Sequence, residues 1–130
     1  MTRRIAPTAD EIEALAEDAL AHIPPALLQH VRGVSIQVDE FPDDETLKDL
    51  GLEGPFDLLG LYHGVSLDRQ SVGDPPRAPD RILLYRRPLL DFWCEGDDDL
   101  RDVVRNVLIH EIAHHFGFSD DEIYRIEADG

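Results

Sequence analysis

Apolar residues along this chain first recur at helical spacing at Ile12, Leu15, Ala16, Ala19, Leu20 and Ile23, which is the stripe of a helix packed by one face. Thr8 and Glu11 just ahead of that stripe form a capping-box signature, so a helix is predicted from Thr8 to Ile23. Pro24 and Pro25 end it, because neither offers an amide hydrogen and the first restrains the residue before it. A short helical turn from Ala26 to Val31 is expected before Gly33. His22 and His30, at or near these helix ends, read as surface residues. From Val34 to Val38 apolar and polar residues alternate, the pattern of a half-buried strand, and Phe41-Pro42 closes it.

Asp43 to Gly51 then reads as a loop with a short helix stopped by glycine. Its acidic cluster is helix-start chemistry, since the regular oxygen spacing of a calcium loop is missing. A second strand is predicted at Leu58–His63, punctuated by Gly60 and Gly64, with His63 as a structural strand-end residue. Ser66 to Asp80, with Gly73, Asp74, Pro75, Pro76 and Pro79, is the segment least suited to regular structure and a natural border for a cleft. Arg81–Arg87 reads as a third strand, with Pro88 ending it. At a sheet edge, that strand could hold an extended peptide by backbone pairing.

Leu89–Cys94 is an apolar patch, expected as a turn or short helix on the core. Glu95 to Asp99 supplies acidic residues where the dipole of the next helix favours them. The longest helix is predicted from Asp98 to Phe116. On it Leu100, Val103, Val104 and Val107 share a face with His110, Glu111 and His114, while Ile109, Ile112 and Phe116 make the other side apolar. The C-terminal end of this helix is therefore expected to be buried on both sides. Ser119 then caps a last helix, Asp120–Ala128, with Ile123 and Ile126 as its contacts.

The chemistry is concentrated where that long helix ends, in His110-Glu-Ile-Ala-His114. Two histidines four apart on a helix lie about 40° apart on one face, so both imidazoles can reach one metal ion. Glu111 falls roughly 100° round from His110, close enough to touch a water beside the ion without being a ligand, which is the position of a general base. A catalytic zinc keeps three protein ligands and one open position, so a third ligand is required. Gly117 can end the helix in a left-handed conformation and turn the chain back. Asp120 is the first candidate for that ligand, with Asp121, Glu122 and His115 as alternatives. Tyr62, Tyr85 and Tyr124 could each donate to an oxyanion but also read as ordinary half-buried tyrosines.

The residues His110-Glu-Ile-Ala-His-His-Phe-Gly-Phe-Ser-Asp120 repeat the spacing His-Glu-x-x-His-x-x-Gly-x-x-Asp. Taken with the preceding Arg81–Pro88 segment, the N-terminal helix and the Val-x-Ile-x-Val strand, they resemble a small bacterial zincin-like metallopeptidase family with a minimal zincin fold. The resemblance covers most of the chain, and Arg81–Glu122 is its specific part. It implies an α+β fold in which a small mixed sheet packs against an N-terminal helix and a central helix carrying the motif. It also implies zinc (Zn2+) held by His110, His114 and Asp120, Glu111 as catalytic base, and a peptide or protein substrate. The chain departs from the larger metzincins in having no methionine turn, since its one methionine is Met1.

Composition narrows the partners. With 130 residues the chain suits one domain, 1–130, with one modest core. A formal charge of −16 argues against nucleic acid or an anionic membrane as partner. No apolar run of 18 residues is present, and the N-terminal residues lack the apolar stretch of a secretory signal, so a cytoplasmic location is expected. The single Cys94 excludes an internal disulfide and reads as packing beside Phe92 and Trp93, the alternative being an inhibitory thiolate on the zinc. Two activities suit these features: a zinc-dependent peptidase, or a non-catalytic zinc-binding or peptide-binding module on the same scaffold.

Overall fold

A computed structural model describes residues 6–31, 33–64 and 80–129. The expected disordered-looking segment 66–80 lies outside the described residues except for Asp80. Helix α1 runs Ala9–Ala21 with Thr8 as N-cap and the capping box closed in both directions through Glu11. The short α2 (Pro25–Leu28) follows the proline pair. Strand β1 (Ser35–Asp39) is separated from β2 (Gly60–His63) by α3 (Asp44–Leu50). Asp43 caps α3 by accepting the Thr46 amide at 2.7 Å, and its carboxyl pKa is lowered first by the Thr46 side chain and then by that amide. Strand β3 (Arg81–Tyr85) leads directly into α4 (Arg86–Glu95), and then come α5 (Leu100–His115) and α6 (Asp120–Asp129).

The fold is α+β, with a mixed three-stranded sheet in the order β1-β3-β2; β1 is parallel to β3 and β2 antiparallel to it. The registers Ile36↔Ile82, Val38↔Leu84, Tyr62↔Ile82 and Gly60↔Leu84 place these six residues on one face. That face packs against α1 and α5. Ile12, Ala16, Ala19 and Ile23 come from the first helical segment, Leu108, Ile109, Ile112 and Ala113 from α5, and together with the sheet they form the buried core.

The topology decides two points that the sequence left open. The third strand is not a sheet edge, because it pairs on both sides; β2 and β1 are the outer strands among the described residues. Its sequence Arg-Ile-Leu-Leu-Tyr, with three of its five residues buried, suits the central position. The patch after it is a ten-residue helix starting at Arg86, not a turn, and Pro88 lies inside its first turn, where no amide donor is needed. Leu89 is buried, while Phe92 is 53% exposed and Cys94 exposed. Arg86 anchors the start of α4, with Nε donating to the Pro7 carbonyl at 2.8 Å and Nη1 to Glu40 Oε1 at 2.8 Å.

Candidate metal centre

Helix α5 is buried on different sides in its two halves. Leu100, Val103 and Val104 are covered near its start, whereas Leu108, Ile109, Ile112 and Ala113 are covered near its end. At 100° per residue the second set is centred well over a quarter turn from the first. The expected stripe from Val103 through Val107 to His110 and Glu111 is therefore present: Val103 and Val107 pack on the core, and the stripe also lines a cleft that His110 and Glu111 border. The C-terminal half of α5 is not buried on both sides, since His110 and His114 are exposed. The opposite face of that half makes the core contacts, which leaves the motif face free for chemistry.

The cleft has a volume of about 400 Å³. Val103, Asn106, Val107, His110 and Glu111 of α5 form one wall, and Leu58, Leu59 and Gly60 at the start of β2 face them. Phe92 and Glu127 also border it. The wall at β2 depends on glycine: a Cβ built at Gly60 would stand 2.9 Å from Val107 Cγ1 and 3.1 Å from the Leu83 carbonyl oxygen. β2 can approach α5 this closely, one turn ahead of His110, only without a side chain there.

The His110 and His114 rings lie on the same face with centroids 5.9 Å apart and planes inclined by 34°. Glu111 is partly buried, and that burial pushes its carboxyl from an ordinary 4.5 up to about 7. The buried Tyr85 hydroxyl is pushed up to about 12, first by burial and then by the negative charges of Asp39, Asp43 and Glu111. It stays protonated at neutral pH. Tyr62 gives its hydroxyl hydrogen to Asp80 Oδ2 at 2.8 Å, and burial followed by that bond raises its pKa further above the usual range. Its ring stacks on His115 at 4.0 Å, and Phe116 meets both rings edge-on. Tyr62 and His115 thereby belong to the packing that anchors the end of α5. Tyr124 is 74% exposed.

α5 stops at Phe116, and Gly117 takes φ +81°, with its amide bonded to the His114 carbonyl and that of Phe118 to the Ala113 carbonyl. This is the expected glycine stop. Ser119 and Glu122 then form a reciprocal capping box for α6, which holds the Glu122 carboxyl below its usual range. Glu122 is thus engaged at the helix start. Asp120 and Asp121 are exposed in the same first turn, and neither makes a hydrogen bond or ion pair with His110 or His114. Among the described residues, no three His, Cys, Asp or Glu side chains are already gathered around one point.

A carboxylate does reach the motif from further along α6. Glu127 Oε1 is in contact with His110 Nε2, forming an ion pair if the imidazole is protonated. That oxygen is buried and accepts no hydrogen bond. A buried, unsatisfied carboxylate oxygen is costly. Its position against an imidazole nitrogen suits two groups that share a cation. With His114 one turn away, the donors are two imidazoles and a carboxylate, a set that zinc takes readily. By donor type they suit a divalent metal, although the three are not gathered round one point. Reasoning confined to the motif missed Glu127, as well as Asn106 and Phe92. The available signal was an acidic residue four positions after Ile123, on the apolar stripe of its helix.

Comparison with known proteins agrees with this motif and fold. A family described as zincin-like metallopeptidase matches residues 31–129. The chain belongs to that family. Among solved structures, this zincin-like protein is similar to a conserved hypothetical protein from Thermus thermophilus, with 25% sequence identity and a TM-score of 0.52. The alignment covers 84% of this chain and 94% of the other. No curated protein matches. Among the described residues of this family member, no helix is long and apolar enough to cross a membrane.

Proposed function

We propose that this zincin-like chain is a zinc-dependent peptidase acting on peptide or protein substrates through His110, His114 and Glu111. The observation that carries the reading is the cleft wall on which Glu111 stands beside His110, with a half-buried carboxyl and open space in front of it. Zinc, when bound, supplies a Lewis acid that polarises a carbonyl and makes water easier to deprotonate near neutral pH. His110 and His114 would hold it, with a carboxylate as third ligand; the family resemblance offers Asp120 for that place.

Glu111 takes the proton from the attacking water and returns it to the departing amine. Burial alone would keep this carboxyl protonated at mildly acid pH, whereas a cation beside it favours the carboxylate that the base step needs. The apolar lining from Leu58, Leu59, Phe92, Val103 and Val107 can take an apolar side chain of the substrate and exclude water from the reacting bond.

The purified chain should contain about one equivalent of zinc and cleave members of a peptide library. Glu111→Gln should retain the zinc and lose roughly 10²–10⁴-fold in turnover, the usual contribution of a general base. Full activity in that variant would refute the assignment. Zinc uptake with no cleavage anywhere in the library would favour the non-catalytic binding module.

A further inference from the structure

We infer that Glu127, carried by α6, is the carboxylate that completes the metal centre with His110 and His114, in the place the motif spacing gives to Asp120. This rests on the zinc reading above and concerns which residue of this chain meets the ion.

Asp120 and Glu127 are seven residues apart, so α6 presents both on nearly the same face, separated by about 10 Å along its axis. The register of α6 against α5 decides which of them meets the histidines. That register is set by Ile123, which is buried at 1% exposure, and by the reversal at Gly117. With α6 seated this way, the Glu127 side chain is 23% exposed and its Oε1 lies against His110 Nε2. Asp120 remains exposed in the first turn.

Two further observations point the same way. Glu127 borders the cleft together with Glu111 and His110, whereas neither Asp120 nor His114 is among its lining residues. The Glu127 oxygen facing His110 is also buried without a hydrogen bond, although each such oxygen ordinarily finds a donor. A cation held by both groups, which would ease them apart from direct contact, would satisfy both. The carboxylate then enters from the end of a helix that itself packs on the core, so closing the metal site and docking α6 become one event.

The test is zinc binding to the full chain, measured by competition with a chromogenic chelator, together with the visible spectrum of the cobalt-substituted protein. Glu127→Gln should weaken zinc binding by more than the roughly 10–100-fold that losing a merely supporting group costs, and should alter the cobalt bands. Asp120→Asn should change affinity by no more than about fivefold, the scale of an exposed charge, and leave the bands unchanged. Glu127→Asp, which keeps the charge and shortens its reach, should fall between them and covers the case in which the glutamine variant folds poorly. A wild-type chain that takes up no zinc overturns the underlying reading. A wild-type chain that binds zinc, with Asp120→Asn losing it and Glu127→Gln keeping it, overturns only the assignment of Glu127.

Discussion

At the scale of single residues, Glu111 carries a thermodynamic signature separate from catalysis. Its carboxyl titrates near 7 in the folded, metal-free chain against an ordinary value of 4.5. As pH rises through that window the unfolded chain ionises first, so the folded state loses stability between about pH 4.5 and 7. The penalty is absent below the window and complete above it, on the order of 3 kcal/mol. Glu111→Gln removes the ionisable group. In the presence of a chelator, that variant should therefore melt several degrees above wild type at pH 8, with most of the gain gone at pH 5. Equal melting temperatures at pH 8 would show that the carboxyl is better solvated than its surroundings suggest.

Among elements, the pairing of β2 with α5 shapes the cleft, and Gly60 is where they meet. Alanine there would place a methyl group 2.9 Å from Val107 Cγ1, with the backbone carbonyl of Leu83 on its other side. Val107 is stiff at χ1 and the carbonyl belongs to the central strand, so Gly60→Ala should destabilise the protein by about 1–3 kcal/mol, as overpacking does. Adding Val107→Ala should recover part of that loss, because the two changes share one space. Strictly additive losses in thermal or denaturant melts would mean that the methyl group clashes with the Leu83 backbone instead. The aromatic packing of Tyr62, His115 and Phe116 lies at the C-terminal end of α5, where it holds the helix terminus before the chain reverses.

For the whole molecule, the dominant fact is the charge of −16. Among the described residues, favourable pairs such as Arg86 with Glu40 are few beside that excess, so self-repulsion opposes compaction. Raising ionic strength from about 0.01 to 0.15 M shortens the screening length from roughly 30 to 8 Å, and the melting temperature should rise. A fall would show that ion pairs outweigh the repulsion. Asp98, Glu111 and Glu127 bring part of that acidity to the cleft, where it would favour a divalent cation.

What the sequence determined unaided are the features written in short-range chemistry. The Thr8–Glu11 capping box, the glycine stops at Gly51 and Gly117, the alternation of β1 and the helical placement of His110, Glu111 and His114 each depend on neighbours within a few residues. Such terms act wherever the segment finds itself. Tertiary structure decided the rest. It placed β3 in the middle of the sheet, because a strand's neighbours depend on segments far away in the chain. It also turned the motif face of α5 toward a cleft, because the apolar residues on its two sides compete for the same core and Leu108, Ile109 and Ile112 occupy it. Finally, it brought Glu127 to His110 from two helical turns beyond Asp120, since that encounter follows from how α6 seats Ile123 and no local spacing encodes it.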